Sequence, residues 1–156
     1  MTITSAAGTI TSTVWEKNKN FREEMTVQGM TTIIIFDMDA GIMYNYLPDQ
    51  GIATAMTIDQ SLIPQGAAEN PNDILDFNPE NLGTETIDGK SCVVIQWTTD
   101  AGTIKEWIWI DVGFPLKMES TTPAGTTTIE FTNISFNDID DSMFQLPEGV
   151  IVTTIG

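Results

Sequence analysis

Lys90-Ser91-Cys92-Val93-Val94-Ile95-Gln96-Trp97-Thr98-Thr99, the turn Asp100-Ala101-Gly102, and Thr103-Ile104-Lys105-Glu106-Trp107-Ile108-Trp109-Ile110-Asp111 decide the fold. β-Branched and aromatic side chains dominate both runs, and the glycine-bearing turn between them folds them into a hairpin. In the second run a period of two puts Trp107 and Trp109 on one face and Ile108 and Ile110 on the other. Both faces are therefore apolar. One of them packs into a core. The other is either covered by a separate segment of chain or lines a pocket for a lipid-like ligand.

The same alternation extends outward in both directions. Strand patterns run over Gly8 to Lys17, Phe21 to Val27, Met30 to Asp37, Ile42 to Leu47, Ile52 to Ile58, Thr84 to Ile87, Leu116 to Thr121 and Thr126 to Phe136. Turn sequences separate them at Asp39-Ala40-Gly41, Pro48-Asp49-Gln50-Gly51, Asp88-Gly89, Val112-Gly113-Phe114-Pro115 and Pro123-Ala124-Gly125. The run Ile33-Ile34-Ile35-Phe36 is again apolar on both faces. About ten strands are more than a flat sheet carries without curling, so the expected fold is mainly β. Its form should be a strongly bent antiparallel sheet, or incomplete barrel. The pattern breaks only at 59–79, where Pro64, Gly66, Pro71 and Pro79 bracket a short helix over Asn72 to Phe77 on a long connection, a candidate lid.

The chain's 156 residues make one domain the default, and 41% hydrophobic against 18% charged residues argues for a globular chain. Six basic against 22 acidic side chains give a net charge of −16 with no histidine. Such a surface repels phosphate backbones and anionic headgroups, which argues against nucleic acid as a partner. Without imidazole, the histidine-dependent serine and cysteine hydrolases and imidazole metal sites are excluded. Cys92 is the sole cysteine, so no intramolecular disulfide forms, and its strand setting reads as a buried, inert thiol. The first residues carry neither a basic region nor an apolar core, so no export signal is read there.

Acidic residues pair at Glu23-Glu24, Asp37/Asp39 and Asp138/Asp140/Asp141. They read as turn formers; a carboxylate hydrolase would need two of them within about 5 to 10 Å in a cleft. Calcium suits oxygen ligands, but glycine follows Asp37-Met38-Asp39-Ala40 one position too early for an EF-hand, and no glycine-rich phosphate loop is present. No catalytic residue, metal site or cofactor is expected. Eight methionines and four tryptophans, mostly in strand sequence, suit an adaptable apolar cavity. The candidate ligand contacts are Trp15, Met25, Ile34, Phe36, Tyr44, Tyr46, Met56, Trp97, Trp107, Trp109, Met118 and Phe131.

The order of motifs resembles the bacterial lipoprotein-carrier superfamily, the LolA/LolB-like proteins. Val14-Trp15-Glu16-Lys17 followed by Asn20-Phe21 is similar to that family's opening hairpin, and Asp39-Ala40-Gly41 with Tyr44 and Pro48 to a later strand. Gly113-Phe114-Pro115-Leu116 is similar to its strand turn, and Phe144-Gln145-Leu146-Pro147-Glu148-Gly149-Val150 to its closing motif. The resemblance implies a half-barrel whose cavity accepts acyl chains, no catalysis, and an extracytoplasmic location. The family's lid-latching arginine would fall near Asn18, whereas the single arginine of this chain is Arg22. The expected function is a non-catalytic binding protein whose partner is a hydrophobic small molecule, lipid or lipoprotein. The alternative is an envelope interaction module with a filled concave face and no small ligand.

Overall fold

The computed structural model describes residues 1–38, 40–58 and 77–155, and within them the chain forms two compact units. The expected helix over Asn72 to Phe77, except for Phe77 itself, and most of the candidate lid lie outside the described residues. Twelve strands and no α-helix are present among the described residues, where about ten strands are expected.

The first unit comprises Met1–Thr9 and Pro64–Ile134. Its strands are β1 (Thr2–Ser5), β7 (Glu80–Ile87), β8 (Lys90–Thr99), β9 (Gly102–Trp109), β10 (Phe114–Thr122) and β11 (Gly125–Glu130), hydrogen-bonded in the order β1-β11-β10-β9-β8-β7, all antiparallel. Three differences from expectation exceed two residues. Thr2–Ser5 forms an additional strand by pairing Ile3 with Ile129. The strand expected from Thr84 begins at Glu80, and the one expected to reach Phe136 stops at Glu130. Beyond that stop the chain passes through Asn133 at φ +54°, a conformation no strand tolerates. The Asp88-Gly89 turn has both residues at positive φ (+47° and +74°), the backbone a two-residue hairpin needs to match strand twist. Gly102 is required for a different reason, since a Cβ there would collide with the Thr121 backbone carbonyl.

The second unit comprises Ile10–Ile63 and Ser135–Gly156. Here β2 (Gly8–Lys17), β3 (Asn20–Val27), β4 (Met30–Asp37), β5 (Ile42–Leu47) and β6 (Ile52–Thr57) form an antiparallel meander. The unexpected β12 (Ile151–Ile155) joins it by pairing parallel to β6, with Ile151 opposite Ile52. Cross-strand partners share a face of the sheet. Trp15, Arg22, Ile35, Tyr44 and Ala55 therefore line one face, and Val14, Glu23, Ile34 and Asn45 the other. The first face holds the core: Ile33, Ile35, Tyr46, Ala53 and Phe144 are buried, with Trp15, Tyr44, Ile139, Met143, Leu146 and Val150 packed around them.

Residues 139–150 thus cover this face, and polar contacts fasten them down. Lys17 Nζ donates to the Ile139 carbonyl at 2.6 Å and pairs with Asp138 and Asp141 at 3.1 and 2.9 Å. Hydrogen bonds to Asp141 and Asp138 push the ammonium pKa up. Arg22 Nη1 donates to the Met143 carbonyl at 3.0 Å while its guanidinium pairs with Glu24 and lies 5.8 Å from the Trp15 ring centroid. Asp140 caps the short 3-10 turn Asp141–Phe144 by accepting from the Ser142 N–H, and Asp37 accepts from the Ala40 N–H. The acidic residues at 37, 138, 140 and 141 therefore shape turns and ion pairs, as their sequence context suggests.

Candidate ligand-binding face

The geometry of β8, β9 and β10 sorts the first unit's aromatic residues onto opposite sides. Cys92 pairs with Trp109, Val94 with Trp107, Phe114 with Trp109 and Lys117 with Trp107, so these side chains share one face. That face is the core of the unit: Cys92, Val94, Trp107 and Leu116 are buried, and Ile87, Trp109, Phe114 and Ile134 pack against them. Leu116 joins them at a bulge between Pro115 and Lys117. Burial pushes the Cys92 thiol pKa up, which keeps it protonated and unreactive.

Around this core the polar groups are matched. Trp107 donates its indole N–H to Glu85 at 2.8 Å, and Lys105 and Lys117 lie 4.4 and 4.8 Å from its ring centroid. Lys105 also pairs with Glu85, and Lys117 with Glu119 and Glu130. Lys90 stands 5.3 Å from the Trp109 ring, and Phe131 meets Phe114 edge-on at 5.4 Å.

The middle of the opposite face of the same strands is apolar around Glu106, with Ser91, Thr99 and Ser120 toward its ends. Ile95 pairs with Glu106, Glu106 with Met118, Trp97 with Ile104, Val93 with Ile108, and Met118 with Ile129. Glu106 is thus set among Ile95, Met118, Ile104 and Ile108. It is only 2% exposed, and its Oε2 has no hydrogen-bond partner among the described residues. Burial alone pushes its pKa up to about 7. The signal was present in the sequence, because period two places Glu106 between Ile104 and Ile108 on the side away from the two tryptophans. Sequence reading passed over it because nothing local reveals that Ile95 and Met118 flank it.

The twelve candidate contacts therefore fall into four groups. Trp97 and Met118 share the Glu106 face, whereas Trp107 and Trp109 lie in the core of the other face with Phe131 packed on Phe114. In the second unit Trp15, Tyr44 and Tyr46 belong to the core beneath residues 139–150. Met25, Ile34, Phe36 and Met56 occupy that sheet's other face, where Phe36 meets Phe21 at 5.7 Å and Met56 pairs with Met43. No group of three or more acidic or cysteine side chains capable of holding a metal occurs among the described residues.

The first unit's antiparallel meander, with one face packed and the other apolar around a lone carboxyl, and the second unit's meander under its closing segment define a mainly β protein built of antiparallel sheet. The chain belongs to the family described as a domain of unknown function, DUF4412, whose profile matches residues 1–113. No curated protein matches it. Among solved structures it is similar to an uncharacterized conserved protein from Thermus thermophilus, at 9% identity and a TM-score of 0.69, covering 99% of this chain and 88% of that one. It is similar to LprF from Mycobacterium bovis at 13% identity and a TM-score of 0.56, covering 96% and 87% of the two chains. The lipoprotein LppX from Mycobacterium tuberculosis gives 15% identity and a TM-score of 0.53 over 81% and 80%. At these identities the likeness is one of fold.

Proposed function

We propose that this protein is a non-catalytic, extracytoplasmic binding protein that holds an acyl chain, a lipid or the lipid moiety of a lipoprotein. The observation that carries the reading is the second apolar face of β8 to β10. The unit's core cluster lies on the Trp107 face, yet the other face continues apolar, with Trp97 buried and Ile95, Ile104, Ile108 and Met118 half-buried. The fold shared with LprF and with the lipoprotein LppX supports the same reading and the extracytoplasmic location. Burial of a chain against such a face is worth about 25 cal/mol per Å² of apolar area, so binding needs few polar contacts and tolerates variation in the chain. A non-catalytic role accords with a chain that lacks histidine and uses its acidic clusters as caps and ion pairs.

A second reading draws on the second unit. Ile151, Val152 and Ile155 on the edge strand β12 are 68%, 46% and 53% exposed, and an exposed apolar edge is a docking surface for another envelope protein. Native mass spectrometry of protein purified without detergent, paired with solvent extraction, separates the two. A discrete adduct of lipid mass supports the binding protein. A clean apo mass that persists after incubation with fatty acids and phospholipids overturns it and leaves the interaction module.

A further inference from the structure

The apolar face of the first unit carries a chemical demand that an all-hydrocarbon ligand leaves unmet. Glu106 is buried to all but 2% of its surface, and its Oε2 accepts no hydrogen bond among the described residues. The positions facing it are Ile95 on β8 and Met118 on β10, with Ile104 and Ile108 beside it on its own strand, none of which offers a side-chain donor or a charge. Farther along the same face, Val93, Trp97, Pro115 and Ser120 add no titratable group. Lys105 and Lys117 are adjacent in sequence or register but point to the other face, where Glu85, Glu119, Glu130 and the Trp107 ring engage them. A buried carboxyl with a vacant acceptor is costly unless something supplies a donor, and a cationic donor offsets the desolvation of the ionised form as well.

We propose that this face receives an amphipathic cation, a long-chain amine whose ammonium group hydrogen-bonds Glu106 Oε2 while its hydrocarbon chain lies along Ile95, Ile104, Ile108 and Met118. The inference rests on the apolar-ligand reading above and specifies the head group of what is held. A net charge of −16 favours the approach of such a cation and disfavours chains ending in carboxylate. The carboxyl ionises near neutrality, so the pairing strengthens as pH rises through about 7, where the amine is still charged.

The test is calorimetric titration of the full chain with decylamine, 1-decanol and decanoate at pH 6 and pH 8, in wild type and in Glu106→Gln. Decylamine is expected to bind about tenfold or more tightly than 1-decanol at pH 8, with a smaller margin at pH 6 and with decanoate weakest. In Glu106→Gln the amine's advantage disappears while 1-decanol affinity holds. Equal affinity for amine and alcohol in the wild type overturns the proposal and leaves apolar binding intact. An advantage that survives in the variant also overturns it, by assigning the preference to surface charge. Failure of all three molecules to bind defeats the apolar-ligand reading itself. Should the variant not fold, the wild-type comparison between pH 6 and pH 8 decides alone.

Discussion

The two faces of β8, β9 and β10 handle the same chemistry in opposite ways. On one, the carboxylate of Glu85 accepts from the Trp107 indole and pairs with Lys105, at a side chain that is 55% exposed. On the other, Glu106 is buried with one oxygen unmatched. The first arrangement finishes a core: each polar group around Trp107 has its partner inside the unit. The second is unfinished, because it leaves a buried carboxyl oxygen without a donor among the described residues in a largely apolar surface.

Substitutions on each face separate the two arrangements. Trp107→Ala removes the largest buried side chain of the matched face, and should cost about 3 to 5 kcal/mol of unfolding free energy by urea denaturation. A loss below about 1 kcal/mol would show that Trp107 is not core.

Glu106→Gln should have a smaller effect of opposite sign and strong pH dependence. The native carboxyl has a pKa raised from 4.5 to about 7, so the folded state binds its proton more tightly than the unfolded chain. Its contribution is fully present below pH 4.5 and is lost as pH rises through 7. The glutamine variant should therefore match wild type near pH 4 and exceed it by up to about 3 kcal/mol at pH 8. Equal stabilities at both pH values would contradict the burial of this group. Smallest is Lys117→Met, which removes one ammonium from the Trp107 ring while keeping an apolar stem. It should cost about 0.5 to 1 kcal/mol, less at high salt, in the same denaturation assay.

Much of this organisation could be read from the chain itself. Alternation in Lys105 to Ile110 places Trp107 and Trp109 together, and the Asp88-Gly89 and Asp100-Ala101-Gly102 turns mark their hairpins, because both signals are local. What escaped depends on partners distant in sequence. β12 pairs parallel to β6 although Pro64–Ile134 of the first unit separates them in sequence, and Ile3 finds its strand only through Ile129. Trp15, Tyr44 and Tyr46 have the aromatic character of ligand contacts, yet residues 139–150 occupy their face, which no periodicity within β2 or β5 announces. The isolation of Glu106 is likewise a property of register, set by Ile95 and Met118 on neighbouring strands.

The most direct test of the division between the two faces uses the four tryptophan indoles as reporters. Their N–H signals in a proton–nitrogen correlation spectrum, assigned by single Trp→Phe variants, would be followed while 1-decanol is added to the full chain. The Trp97 indole, on the Glu106 face, should shift in a saturable manner while those of Trp107, Trp109 and Trp15, on the opposite face of their strands or in the second unit, stay in place. A shift at Trp107 with Trp97 unmoved would contradict it, and four unmoved signals would remove the binding face altogether.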